Sequence, residues 1–211
     1  MDIVVLVIIV INVLVSIKGM DSQYFFEKYK FQVGPIVNKD YFRMLSSGFL
    51  HVDYMHLLFN MLTLYFFAPI VIESYGRNEF IGMYLLSLLA GNALSYYMHR
   101  NDFFYSAVGA SGAVSGILFS SIFLFPFMQI YVFFIPLPAI IFGVLYMVYS
   151  IFGMKNQWGN IGHAAHIGGA FMGLILSVLY KPSLLQTQGW IFFILVLPLI
   201  LMIVYRKKLN L

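Results

Sequence analysis

Three segments far apart in the chain carry polar residues whose types together perform nucleophilic chemistry. They are His51-Val52-Asp53-Tyr54-Met55-His56-Leu57-Leu58-Phe59-Asn60, Gly109-Ala110-Ser111-Gly112 and Gly162-His163-Ala164-Ala165-His166-Ile167-Gly168-Gly169. A serine attacks a carbonyl, a histidine takes and returns its proton, and further side-chain donors stabilise the oxyanion that forms. Each segment lies near the start of a strongly apolar stretch, where such groups are costly and rarely accidental.

The elements that must position these residues are membrane helices. Apolar residues make up 62% of 211 and charged residues 9%, against about 25% charged in a soluble domain. Mean hydropathy is +0.90. Long apolar runs without strict alternation exclude a barrel and leave an all-α polytopic bundle. Seven stretches are long enough to span, near 2–17, 46–72, 79–98, 108–125, 130–152, 162–180 and 189–205. Everything falls into one membrane domain, 1–211, with a catalytic core of about 1–181 and an added C-terminal helix. The first stretch lacks a basic start and a small-residue cleavage site, so it reads as a retained helix.

Residues 18–45 read as one long loop, its charges mixed with aromatic rings that suit the water–lipid boundary. Pro126, Pro136 and Pro138 are expected to loosen the fourth connection and bend the early part of the fifth helix. No cysteine is present, which removes thiolate catalysis and disulfides together. A net charge of +4 with dispersed cations makes nucleic acid an unsuitable partner, and Arg206-Lys207-Lys208 fits lipid headgroups.

Parity then brings the three segments together. The second, fourth and sixth stretches run in one direction, so their starts share one side of the membrane. At about 1.5 Å per residue, Ser111 and His166 lie at a similar shallow depth. His56 and Asn60, four residues apart, project from one helix face. Ser111/Ser115 and Gly112/Gly116 form small stripes on the fourth helix, as do Gly162/His166/Ala170 and Ala165/Gly169/Gly173 on the sixth. Such stripes let two backbones approach closely. Taken alone, the glycines are equally a packing device and His56–Asn60 equally a stabilising pair.

In their order, the H-x4-H-x3-N, G-x-S-G and A-H-x3-G segments resemble the rhomboid intramembrane serine proteases, from the Arg43 region through the sixth helix. The resemblance implies a six-helix bundle with a seventh helix added at the C-terminus. It implies Ser111 as nucleophile and His166 as general base and acid. His56, Asn60 and the Ser111 N–H become the oxyanion site, and Gly109, Gly112, Gly169 and Gly173 the motif glycines. No carboxylate lies in the fourth or sixth stretch, so the expected unit is a Ser–His dyad that needs no metal or cofactor. The substrates implied are single-span transmembrane proteins cut near the bilayer surface, and the compartment expected is a bacterial inner membrane. The family often carries Tyr or Phe four residues after the nucleophile, beneath the histidine ring. Ser115 stands there instead, so the sequence names nothing that orients His166.

Rival readings explain less. A zinc site from His51, His56, His163 and His166 fits by spacing, yet it lacks H-E-x-x-H and leaves Gly109-Ala110-Ser111-Gly112 without a purpose. A non-proteolytic relative that binds membrane clients would not require both Ser111 and His166. A transporter calls for buried charge or helices broken at the midplane. Orientation is contested within the sequence. The family topology places the N-terminus in the cytoplasm, with Arg77 and Lys181 inside and the other ten Lys and Arg outside. The positive-inside rule favours the reverse.

Overall fold

The computed structural model describes residues 1–209 except 133, 157 and 159–161, and only the backbone over 205–209. In chain order the elements are α1 (Ile3–Asp21), α2 (Gln23–Tyr29), β1 (Phe31–Gln32), α3 (Val33–Val37), α4 (Arg43–Ser46), a 3-10 turn (Ser47–Phe49), α5 (Tyr54–Tyr75) and α6 (Arg77–His99). There follow β2 (Ser106–Ala107), α7 (Ser111–Leu124), β3 (Gln129–Val132), β4 (Ile135–Pro138), α8 (Ala139–Asn156), α9 (His163–Tyr180) and α10 (Ser183–Leu209). Among the described residues, α1, α5, α6, α8, α9 and α10 are long and apolar enough to cross a membrane, and α7 is a shorter apolar helix. The seven expected stretches are therefore all present, and the protein is a multi-pass membrane bundle.

Three boundaries differ from expectation, each for a local reason. The second stretch was expected to start at 46, but α5 starts at Tyr54, because Asp53 is its N-cap and accepts from the His56 N–H at 2.7 Å. The fifth was expected to start at 130. Pro136 and Pro138 do not bend a helix there; they lie in a β-hairpin pairing Gln129 with Pro138 and Val132 with Ile135. A proline lacks the N–H that a helix interior needs, so α8 begins only at Ala139. Residues 18–45 are not a plain loop. They hold the end of α1, three short helices and β1, which pairs antiparallel with β2 just ahead of the Gly109 segment. The seventh helix breaks at Gln188, whose φ is −135°, and Arg206-Lys207-Lys208 lies beyond the side chains described.

Gly76 makes the tight reversal between α5 and α6 with φ +110°, a left-handed region that a side chain strains. At that end of the bundle Arg77 meets Asp2, the α1 N-cap, at 2.7 Å. The apolar core has two parts. One packs Ala113, Val114 and Ile117 of α7 among α1, α5 and α6, and the other packs Phe119, Ile122 and Phe123 among α8, α9 and α10. α7 belongs to both and is enclosed along nearly all its length.

α7 meets α9 backbone to backbone. A Cβ at Gly169 would overlap the Gly112 carbonyl, and one at Gly173 would overlap that of Gly116. A third helix joins this contact, since a Cβ at Gly91 of α6 would stand 2.5 Å from the Ala165 carbonyl oxygen. Gly169→Ala is therefore expected to destabilise by about 1–3 kcal/mol, as overpacking does. Gly189→Ala, whose added Cβ meets nothing within 4 Å, should be neutral. Thermal unfolding of both variants in detergent checks the pair.

Candidate active site

The three sequence segments converge at the N-terminal ends of α5, α7 and α9. His56 and Asn60 from α5, Ser111 from α7 and His166 from α9 line one cavity of about 840 Å³. Its walls toward the bundle's apolar flank carry Phe59, Phe66 and Phe142. Parity placed these groups together, and the small stripes of α7 and α9 supply the close approach. Ser111 is the first residue of α7, which has no side-chain cap. The first-turn N–H groups of such a helix have no intrahelical partner and carry the positive end of its dipole.

Gly109 fixes where His56 sits. Its φ of +132° suits glycine, and a Cβ there would come within 2.7 Å of the His56 ring. The bare backbone lets His56 lie against the segment that leads into Ser111. The Gly109 N–H donates to the Ser47 carbonyl at 3.0 Å, and Asn92 in turn donates to the Ser47 hydroxyl at 3.1 Å. Asn60 donates one amide N–H to the His56 carbonyl at 3.0 Å, which leaves its second N–H for another acceptor.

His51 is the residue whose purpose the sequence left open. The Ala110 N–H donates to its Nε2 at 3.3 Å, so that nitrogen is unprotonated. The proton sits on Nδ1, 2.8 Å from the Ser16 hydroxyl of α1, and Ser16 donates onward to the Phe49 carbonyl at 3.0 Å. One neutral tautomer thus ties α1 to the residue before Ser111. Burial foremost, with the neighbouring His56 adding to it and Asp53 opposing, pushes the His51 pKa down to about 3. His51 is committed to this chain of bonds, which removes it from any zinc site. His163 is buried against Gly153 and Tyr149, with Nε2 3.1 Å from the Trp158 carbonyl.

The Ser115 hydroxyl is 2.7 Å from the hydroxyl of Tyr146 on α8, and the Tyr146 ring stacks on His166 at 5.7 Å and 26°. No motif in the sequence marks Tyr146, since its position depends on how α8 packs.

The His51 bonds set a pH dependence. A histidine whose folded pKa lies below its unfolded value of 6.5 contributes stability in full above that value. The contribution falls as pH drops from 6.5 toward 3. Between pH 7 and pH 5 the unfolding temperature of the wild type should decline more steeply than that of His51→Gln. Equal slopes in a thermal melt series would remove His51 from this role.

Comparison with known proteins agrees with the geometry. A family model described as the Rhomboid domain matches residues 38–183. The chain is 31% identical over 160 residues to Rhomboid protein 1, mitochondrial, of Saccharomyces cerevisiae, covering 72% of this chain and 45% of that protein. It is 31% identical over 148 residues to RHOMBOID-like protein 12, mitochondrial, of Arabidopsis thaliana, covering 63% and 44%. It is 29% identical over 135 residues to the human Presenilin-associated rhomboid-like protein, mitochondrial, covering 62% and 36%. The chain thus spans less than half the length of these curated relatives. Their mitochondrial names give no support to the bacterial inner membrane expected from the sequence; what stands is a multi-pass integral membrane protein. With the family model covering the catalytic-type segments and the bundle that joins them, the chain belongs to the rhomboid family.

Proposed function

We propose that the chain is an intramembrane serine endopeptidase that cuts single-span transmembrane substrates near the bilayer surface. The observation that carries this reading is the single cavity lined by Ser111, His166, His56 and Asn60. Ser111 Oγ attacks the scissile carbonyl while His166 takes its proton. The tetrahedral oxyanion accepts from the Ser111 N–H at the uncapped start of α7 and from the His56 and Asn60 side chains. Collapse breaks the C–N bond, and His166 protonates the departing amine. Water, activated by His166, then attacks the acyl-enzyme, releasing a carboxylate and restoring Ser111. A route for that water is supported by a second cavity of about 510 Å³, lined by Lys30, His99 and Asp102, which borders the first at Val52 and Gly162. The aromatic flank of the site suits an apolar substrate segment arriving from lipid.

Cleavage of a model transmembrane substrate by purified protein tests the reading. Ser111→Ala and His166→Ala should each abolish turnover while leaving a folded protein. Asn60→Ala should lose ~10²–10³ in kcat, the usual effect of removing one oxyanion donor, with little change in KM. A wild type that binds such segments without cutting them favours the client-binding reading.

For orientation, the reading places the N-terminus in the cytoplasm and residues 18–45 outside. The family topology supports this placement against the positive-inside count, in which acidic partners such as Glu27 and Asp40 weigh little. The chain has no cysteine to remove. Lys30→Cys and Phe104→Cys should react with an impermeant maleimide from outside, and Lys181→Cys should be protected. The opposite pattern reverses the topology.

A further inference from the structure

We infer that Tyr146 of α8 is the positioning residue for His166, and that Ser115 is the seat that makes room for it. The inference rests on the dyad reading above. Along α7, Ser111, Ser115 and Phe119 recur at four-residue spacing and share one face. The Tyr146 ring lies against that face below the nucleophile. Its hydroxyl meets the Ser115 hydroxyl at 2.7 Å, and its ring packs on Phe119 at 5.7 Å and on Phe142 of its own helix at 6.0 Å. Fixed on these sides, the ring presents a nearly parallel face to the His166 imidazole, 5.7 Å away at 26°.

A dyad without a carboxylate needs something else to hold its base, because an imidazole free to rotate spends less time facing the serine. Among the described residues, the His166 ring meets two aromatic rings, stacked on Tyr146 and edge-to-face with His163 at 6.1 Å. Stacking restrains rotation of the imidazole without drawing its proton away. Ser115 and Tyr146 are coupled, since a bulky side chain at 115 would occupy the space of the phenol. The orienting ring therefore comes from a helix that carries neither member of the dyad.

The experiment compares wild type, Tyr146→Phe and Tyr146→Met in detergent, scoring the rate at which a fluorophosphonate labels Ser111 per folded molecule. This small probe reports activation of the serine and needs no transmembrane substrate to dock. Tyr146→Phe keeps the ring and should label within about twofold of wild type. Tyr146→Met keeps much of the volume and loses the face, and should label about fivefold to tenfold more slowly, the range an aromatic contact of this kind supports. With a peptide substrate its loss should fall in kcat rather than KM. Met labelling at the wild-type rate, or Phe and Met slowed alike, overturns the inference. Wild type left unlabelled, with Ser111→Ala indistinguishable from it, overturns the dyad itself. Independently of how the variants fold, nuclear Overhauser contacts between the Tyr146 and His166 rings should appear in the wild type, and their absence overturns the placement.

Discussion

The contact between the backbones of α7 and α9 is the constraint on which the rest of the bundle depends. Gly112 and Gly116 meet Gly169 and Gly173 so closely that no side chain fits between the two helices. Lipid tails are as apolar as helix surfaces, so association in a membrane depends on packing of this kind rather than on the hydrophobic effect. The contact sets the separation of Ser111 from His166, because each lies within one turn of a touching glycine. α6 joins the same seam through Gly91 and Gly168, and the remaining helices pack around this triple centre.

Around that centre some buried hydroxyls find partners inside the protein, as a medium without water favours, while those of Ser87 and Ser150 have none among the described residues. Ser177 donates to Ser120 at 2.7 Å and Ser121 to the Ile117 carbonyl at 2.9 Å, sewing α9 to α7 and α7 to itself. Toward the open end the same logic becomes directional. The Ala110–His51–Ser16–Phe49 sequence of bonds runs from the Ser111 segment to the first helix with every proton assigned. β1 pairing with β2 braces the same segment from the other side.

Much of this was legible in the residues, and the illegible part has a physical reason. Hydropathy found all seven helices because each carries a long, nearly uncharged apolar run. Helix parity and the i,i+4 stripes put Ser111, His166, His56 and Asn60 together from sequence, since the direction and periodicity of the helices govern those relations. Helix starts were read less well. Asp53 as a cap and Pro136 and Pro138 within a hairpin are local choices that a window of hydropathy averages away. The short helices within 18–45 were missed for a related reason, because their amphipathic turns are too brief to show a period. Tyr146 was beyond reach altogether. Its relation to His166 joins two helices through their packing, and nothing in the spacing of one helix encodes the rotation of another. His51 is intermediate: its motif was visible, but its partner Ser16 lies 35 residues away on α1.

The length of α7 carries a consequence of its own. Its 14 residues reach about 21 Å at 1.5 Å per residue, while the hydrocarbon layer is about 30 Å thick. Because α7 is wrapped by its neighbours, this hydrophobic mismatch falls inside the protein. Non-helical backbone fills the difference: the Gly109 approach at one end and the Phe125–Met128 turn at the other. The permittivity boundary that elsewhere follows the membrane surface is thereby drawn inward along the molecule's own axis. Ser111, the first residue of α7, stands at the end of the short helix where the Gly109 approach begins, and lines the cavity there.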